Sequence, residues 1–284
     1  MKTPKRLEPL VHEGLIDGVV RQLMSGKEAT VYVVRCGPEL RCAKVYKDAN
    51  KRNFRQAALY QEGRKTKNSR QARAMEKGTR YGRKAQEEAW QSVEVDTLYR
   101  LAAAGVRVPR PYGFFQGVVL MELLTDAEGN AAPRLNDLVL EPERAFAYHA
   151  ALIRQVVRML CVGIIHGDLS EYNVLVDRDG PVIIDLPQAV NAAGNNNAAR
   201  MLQRDVDNIT TYFSRFAPAL TLMQFGKEIW AHYERGTLHD EVRLTGHVAA
   251  NTRIADVAAV MREIGDVRAE HEARLRYKTE MAER

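Results

Sequence analysis

The sequence predicts an α+β protein built of two lobes. Its first third is rich in β-branched and aromatic residues typical of strands, whereas helical periodicity dominates from about residue 142 onwards. Strands collected ahead of helices are typical of α+β folds. A chain of 284 residues is long enough for two lobes that share a cleft. We place the join between the lobes near 122–126.

The composition is that of an ordinary globular protein. Hydrophobic residues make up 45% of the chain and charged residues 27%. No apolar run reaches the ~20 residues that a membrane-spanning helix needs, and the opening "MKTPKRLEPLVHEGL" lacks the continuous apolar core of a secretory signal. The three cysteines show no CxxC spacing, which favours reduced thiols over the alternative of Cys36 facing Cys42 across a hairpin. We therefore expect a cytoplasmic protein with no membrane partner.

Two strands are predicted early in the chain. "ATVYVVR" forms the first, and "RCAKVYK" follows it after the turn "CGPEL". Because side chains alternate along a strand, Cys42, Lys44 and Tyr46 share one face of the second strand. Residues 7–24, ahead of both strands, are predicted to mix helix and turn.

A helix predicted over 85–104 carries an acid on its apolar side. Glu94 falls on a stripe that also contains Trp90, Leu98 and Leu101. A carboxylate that faces a core is costly unless it is paired. Lys44 is the natural partner for Glu94, and the alternative is an exposed Glu94 at the edge of the helix.

The remaining elements continue the change from strands to helices. Strands are predicted at 110–116 and 118–123, helices at 142–162 and 198–235, and a charged helical tail at 252–284.

The segment 48–84 differs in composition from the rest of the chain. Between Lys51 and Lys84 there are twelve lysines or arginines and two acids, a local net charge of +10 within a chain of net charge +6. The segment is polar and poor in large apolar residues, so we predict a flexible insert. Its charge favours an anionic partner.

The stretch "NVLVDRDGPVIID" gathers acids and an amide. Apolar runs flank the turn signal "DRDG", which predicts a β-hairpin folded about Asp179. Asn173 and Asp185 are equidistant from Asp179, so the fold brings them together at the open end, with Asp168 one loop upstream. Mg²⁺ prefers such oxygen ligands and keeps several waters. The alternative is a hairpin with ordinary solvated ends.

The stretch "SGKEATVY" precedes the first predicted strand. It matches neither GxxxxGK[ST], because Arg21 and Glu28 stand at required positions, nor GxGxxG, because Gly26 is its one glycine. A Ser-Gly pair ahead of a strand still offers hydroxyl and N–H groups to a phosphate.

Taken together, these motifs resemble the RIO family of atypical serine/threonine protein kinases, most closely the branch with bacterial members. The resemblance covers about residues 20–216. It rests on "SGKEATVY", "CAKVYK", "HGDLSEYN", "IIDLPQAV" and "MLQRDVDNI". It implies a protein-kinase-like fold with an antiparallel-sheet N-lobe and a reduced, mostly helical C-lobe.

The resemblance also implies roles for the polar residues. Asp168 would act as the general base for the attacking hydroxyl. Asn173 and Asp185 would hold the metal, Mg²⁺ or Mn²⁺, and Lys44, steadied by Glu94, would contact the phosphates of ATP. In some RIO proteins the aspartate at the position of Asp185 is transiently phosphorylated. The resemblance therefore implies a second role for Asp185 as a nucleophile, and it implies that the protein can act as an ATPase switch.

Two further segments match the nucleotide site of the family. The segment implied to cover the triphosphate comprises Ser25, Gly26, Lys27, Glu28 and Ala29. The segment implied to hydrogen-bond adenine through its backbone comprises Met121, Glu122 and Leu123.

The sequence departs from ordinary protein kinases in ways that the RIO family shares. Gly167 stands where those kinases have an arginine that docks a phosphorylated activation loop. No A-P-E follows Asp185. We therefore do not expect peptides to be recognised by the usual groove, and the substrate expected in vitro is the chain itself.

The predicted organisation has four parts. They are a leading segment at 1–24, an N-lobe at 25–122 that contains the insert, a C-lobe at 123–236 and a charged extension at 237–284. The basic residues at 51–84 fit RNA or a ribosomal particle as a partner.

Two other functions compete with a RIO-type kinase. Small-molecule kinases of the aminoglycoside or choline phosphotransferase kind also use "HGD" and an "ID" metal loop, but they lack "SGKEATVY" and the basic insert. A ribosome-assembly binding module with a silenced site would not need the intact set of Lys44, Glu94, Asp168, Asn173 and Asp185.

Overall fold

The computed structural model describes residues 3–26, 29–47 and 93–247. The predicted flexible insert, 48–84, and the predicted helical tail, 252–284, lie outside these residues. Within the described residues, no helix is both long and apolar enough to cross a lipid bilayer.

A short helix, α1 (Glu8–His12), precedes the five-stranded sheet of the N-lobe. The strands are β1 (Gly18–Ser25), β2 (Ala29–Cys36), β3 (Glu39–Tyr46), β4 (Pro111–Phe115) and β5 (Val118–Glu122). All neighbours pair antiparallel, in the order β1-β2-β3-β5-β4. Four of the five strands, β2 to β5, confirm the strands predicted from the sequence.

The prediction that residues 7–24 mix helix and turn misses strand β1. The pairing of β1 with β2 is irregular between Val19 and Arg21 and again between Gln22 and Met24. These irregularities, together with the exposure of an edge strand, remove the alternation of apolar and polar residues by which a strand is recognised.

Helix α1 and the turn after it cover the outer face of the sheet. Leu7, Leu10 and Ile16 are almost fully buried, and they share a cluster with Val34 and Ala43. Full burial of a leucine or isoleucine side chain contributes about 1.5–3 kcal/mol. The leading segment therefore stabilises the N-lobe.

Helix α2, whose described part covers 93–103, packs on the other face. Leu98 and Leu101 are buried in the main core, and Glu94 is buried beside them. The N-terminal part of the predicted helix, with Trp90, lies outside the described residues.

The C-lobe is mostly helical. Its elements are α3 (Pro142–Cys161), β6 (Ile164–Ile165), β7 (Val174–Asp177), β8 (Gly180–Ile183), β9 (Val190–Asn191), α4 (Ala198–Ser214) and α5 (Phe225–Glu234). Helix α3 confirms the helix predicted at 142–162. The stretch predicted as helical at 198–235 forms two helices, separated by a 3₁₀ turn at Pro218–Leu222. An antiparallel sheet followed by a helical lobe confirms the predicted α+β fold.

The predicted hairpin forms, but its centre differs from the prediction. Val174 pairs with Ile183 and Asp177 with Gly180, so the axis lies between Arg178 and Asp179 instead of at Asp179. Gly180 adopts a φ of 118°, which only glycine tolerates well, and this permits the tight two-residue turn. Asp185 consequently lies beyond the paired strands.

Candidate active site

A cleft of about 700 Å³ lies between the sheet of the N-lobe and the β7–β8 hairpin. Ten of the residues predicted for the site line it: Gly26, Ala29, Lys44, Glu94, Met121, Glu122, Leu123, Asp168, Asn173 and Asp185. Ser25 ends strand β1 next to it. Lys27 and Glu28 lie outside the described residues. Apolar side chains complete the walls, among them Val31, Leu175 and Ile184.

Lys44 on β3 joins two acids that are far apart in the sequence. Its Nζ lies 2.5 Å from Oε1 of Glu94 and 2.8 Å from Oδ1 of Asp185. Burial acts to lower the pKa of Lys44, but the two carboxylates outweigh burial and raise that pKa well above its usual value. The positive charge of Lys44 in turn lowers the pKa of Asp185. Lys44 is therefore a fixed cation in the cleft, and Asp185 beside it is ionised.

Tyr46 completes the environment of Glu94. Its hydroxyl donates to Oε2 of Glu94 at 2.5 Å, so both carboxylate oxygens of this buried acid are bonded. Burial raises the pKa of Tyr46, which keeps the phenol protonated and able to donate. The ion pair predicted from the apolar stripe on α2 is present, whereas the contribution of Tyr46 was not foreseen.

Asp168 lies at the open side of the cleft, where two side chains orient it. Gln188 Nε2 donates to Oδ2 of Asp168 at 3.2 Å, and Asn173 Nδ2 donates to the carbonyl oxygen of Asp168 at 2.8 Å. Partial desolvation by the cleft raises the pKa of Asp168. A carboxylate with a raised pKa is a better acceptor for a proton from a hydroxyl.

Side chains of helix α4 bond the backbone of the loop that carries Asp168. Oδ2 of Asp205 accepts from the backbone N–H of Gly167 at 2.7 Å, and its Oδ1 accepts from that of Leu169 at 3.2 Å. Arg204 donates to the carbonyl oxygen of Gly167, and Asn208 Nδ2 to that of Leu169 at 3.2 Å. These bonds fix the backbone on both sides of Asp168.

Asp205 was not assigned a role from the sequence, although a signal for one was present. It lies on the buried side of α4, four residues after Met201 and four before Ile209, and it is only 2% exposed. Burial raises its pKa to about 6, against the opposing effect of the two N–H donors. An acid on an apolar helix stripe is the same signal that identified Glu94.

His166 connects the loop that carries Asp168 to the segment that carries Asp185. The backbone N–H of Asp168 donates to Nδ1 of His166 at 3.2 Å, so Nδ1 carries no proton. Nε2 lies 3.0 Å from the carbonyl oxygen of Ile184, and it must carry the proton to bond this acceptor. His166 therefore links the backbone of Asp168 to the backbone of Ile184, the residue before Asp185.

Asp185 has a left-handed backbone conformation. Its φ is 66°, which is uncommon outside glycine but more accessible to aspartate than to most residues. The bend directs its carboxylate towards Lys44 instead of continuing strand β8. Asp185 and Asn173 thus line the same cleft despite the shifted hairpin axis.

The residues present fit a magnesium ion that relies on few protein ligands. The amide nitrogen of Asn173 is used by Asp168, which leaves its carbonyl oxygen as a ligand, and Asp185 adds a carboxylate. In the described part of the chain, no three His, Cys, Asp or Glu side chains form a metal cluster. Mg²⁺ needs one or two carboxylates together with phosphate and water, so this donor set suits it.

The described residues of the predicted phosphate segment 25–29 lie at the end of β1 and the start of β2: Ser25 ends β1, Gly26 follows it, and Ala29 begins β2. The N–H of Gly26 donates to the carbonyl oxygen of Ala29 at 2.9 Å. Lys47 Nζ lies 2.5 Å from the carbonyl oxygen of Gly26 and 2.9 Å from Oγ of Ser25. Ser25 and Gly26 are therefore tied to Lys47, which directly follows the strand that carries Lys44.

Comparison with known proteins identifies relatives of the chain. The family model of the RIO domain matches residues 30–225. The RIO-type serine/threonine-protein kinase Rio1 of Haloferax volcanii is 34% identical over 208 residues, which are 72% of this chain and 67% of that protein. The serine/threonine-protein kinase rio1 of Schizosaccharomyces pombe is 31% identical over 251 residues, which are 86% of this chain and 47% of that protein.

Among solved structures, the kinase domain of Mycobacterium tuberculosis PknI aligns with 77% of this chain and 94% of that domain. The TM-score is 0.44 and the sequence identity 16%, so this superposition supports no functional conclusion.

Proposed function

The chain belongs to the RIO family of serine/threonine-protein kinases, and from that premise we propose that it transfers the γ-phosphate of ATP to a serine or threonine hydroxyl, including its own. The observation that carries this proposal is the meeting of Lys44, Asp168, Asn173 and Asp185 in one cleft. Family membership does not favour the alternative of a small-molecule phosphotransferase.

In this proposal Asp168 accepts the proton of the attacking hydroxyl. Its Oδ2 is oriented by Gln188, and the backbone around it is fixed by Asp205, so the base needs little rearrangement. Positioned general bases contribute ~10²–10⁴-fold to such reactions.

Lys44 is proposed to bind the phosphates, and Asn173 and Asp185 to hold the metal, for which we propose Mg²⁺ with Mn²⁺ as a substitute. The bound metal would neutralise charge that develops on the transferring phosphate. Lys44 is aligned by Glu94, which is itself held by Tyr46. With Asp185 engaged as a metal ligand, the ammonium group of Lys44, which now bonds Asp185, would be available to bind phosphate.

We also propose that Asp185 acts as a nucleophile in a side reaction. Its carboxylate oxygen would form a bond to the γ-phosphorus while the bond to the departing ADP oxygen breaks. Hydrolysis of this acyl phosphate by water would complete an ATPase cycle.

The proposed partners of the chain are a protein substrate and an RNA or ribosomal particle in the cytoplasm. The net charge of +10 at 51–84 supports an anionic partner.

The experiment that tests the kinase proposal offers labelled ATP and Mg²⁺ to the purified protein. The acceptors are the protein itself, a generic serine/threonine substrate, an aminoglycoside and choline. Label on protein is the predicted result. Label on a small molecule alone would support the phosphotransferase instead.

A further inference from the structure

Arg134 lines the cleft on a segment that is fixed to the C-lobe. Its backbone bridges to Leu175 of β7, and its carbonyl oxygen accepts from the N–H of Asp137 at 3.0 Å. The next residue, Leu135, is fully buried. The backbone of Arg134 is therefore held in place where it lines the cleft.

The guanidinium of Arg134 reaches across the cleft to the N-lobe. Nη2 lies 2.8 Å from Sδ of Met24 on β1, the residue before Ser25. A thioether sulfur is a neutral and weak acceptor. No carboxylate forms an ion pair with Arg134 among residues 3–26, 29–47 and 93–247. The arginine thus retains most of its capacity to bind an anion, next to the predicted phosphate segment.

The cleft is short of positive charge for a polyphosphate. Lys44 and Arg134 are the cations among its described lining residues, against the five acids Glu94, Glu122, Asp137, Asp168 and Asp185. Lys44 is already shared by two of these acids. The loop at 166–173 contains no lysine or arginine.

We propose that Arg134 is a binding residue for the polyphosphate of ATP, which exchanges its contact with Met24 for phosphate oxygens when the nucleotide enters. The planar guanidinium offers paired N–H donors that match two phosphate oxygens, and charge-assisted bonds of this kind are stronger than a contact to sulfur. This inference rests on the proposed function.

Nucleotide titrations of the full chain test the inference. Arg134→Gln is expected to raise the Kd for ATP about 10- to 100-fold, the range for loss of a hydrogen bond to a charged group. The Kd for adenosine, which has no phosphate, should stay unchanged. Arg134→Lys, which keeps the charge without the fork, should lie between wild type and Arg134→Gln for ATP. Arg178→Gln, in the exposed turn of the β7–β8 hairpin, is the matched control and should bind both ligands as wild type does.

The outcomes distinguish a failure of the role of Arg134 from a failure of the proposed kinase function. A wild-type protein that does not bind ATP would refute both. A wild-type protein that binds ATP, with Arg134→Gln equally tight, would refute the role of Arg134 alone. Equal weakening of adenosine and ATP binding would place Arg134 at the nucleoside or in the fold. An unchanged Kd for ATP together with a raised KM for a protein substrate, measured in the phosphate-transfer assay, would place it at the acceptor. Either result overturns the inference.

Discussion

Asp205 on α4 accepts a hydrogen bond of 2.7 Å from the backbone N–H of Gly167, one residue before Asp168. Gly167 has a φ of 83°, a conformation in which an L-residue is strained. This backbone conformation explains why glycine, and not the arginine of ordinary protein kinases, stands at position 167. It lets the chain turn so that N–H groups on both sides of Asp168 point at one buried carboxylate.

The raised pKa of Asp205 predicts a pH dependence of stability. In the unfolded chain this acid ionises near its ordinary pKa of 3.8, whereas burial holds the proton until about pH 6. Between these values the unfolded state binds fewer protons, so raising the pH favours unfolding. The stability of wild type relative to Asp205→Asn should thus decrease from pH 3.8 to about 6 and be constant above.

Urea unfolding of the two proteins across this pH range measures the difference. A relative stability that increases with pH would mean that the pKa of Asp205 is lowered in the folded state, which contradicts the expected effect of burial.

Tyr46→Phe should weaken the alignment of Lys44. The change leaves Oε2 of the buried Glu94 without its donor, which costs about 1–3 kcal/mol of unfolding free energy. The KM for ATP should rise as Glu94 loses its fixed position. Denaturant unfolding and steady-state kinetics measure the two effects. Tyr32→Phe, on the outer face of the same sheet, is the control and should change neither quantity. Equal behaviour of the two variants would disprove a specific role for Tyr46.

Asp185→Asn should weaken the binding of the metal. The variant loses a charged oxygen ligand, so the Mg²⁺ concentration needed for phosphate transfer should rise by at least about tenfold. Titration of activity with Mg²⁺ at fixed ATP measures this shift. Asp179→Asn, in the exposed hairpin turn, is the control. Undiminished binding of Mg-ATP and undiminished transfer by Asp185→Asn would refute the metal assignment.

Removal of the charge at 51–84 tests the proposed anionic partner. A variant in which an uncharged linker of equal length replaces this segment should bind RNA more weakly than wild type. Its affinity should also depend less on salt, because fewer counterions are released on binding. RNA affinities at several salt concentrations measure both effects. Equal affinity and equal salt dependence in the two proteins would dismiss RNA as a partner of this segment.

Local patterns predicted a large part of this molecule. The acid on the apolar stripe of α2 predicted the pair of Glu94 with Lys44, because an unpaired buried carboxylate is too costly. The turn signal "DRDG" predicted the β7–β8 hairpin, and its register was wrong by half a residue because a two-residue turn was not anticipated. Strand β1 was missed because irregular pairing with β2 hides its periodicity.

Contacts between distant segments could not be predicted in the same way. Gln188 bonds Asp168 from the segment that follows Asp185, where the backbone bends with a left-handed φ that the sequence pattern does not indicate. Arg134 contacts Met24 although the two residues are 110 positions apart in the sequence. The contact depends on how the two lobes pack, which local patterns do not show. Asp205 is the exception, since its place on the buried side of α4 could have been read by the rule that identified Glu94.

Phosphate transfer by Asp168→Asn tests the central claim most directly. The amide keeps the shape of the side chain but cannot accept the proton of a hydroxyl. Transfer from labelled ATP should therefore fall ~10²-fold or more, while the affinity for Mg-ATP stays close to that of wild type. Transfer at the wild-type rate with nucleotide binding intact would contradict the role of Asp168 as the base and the proposed mechanism with it.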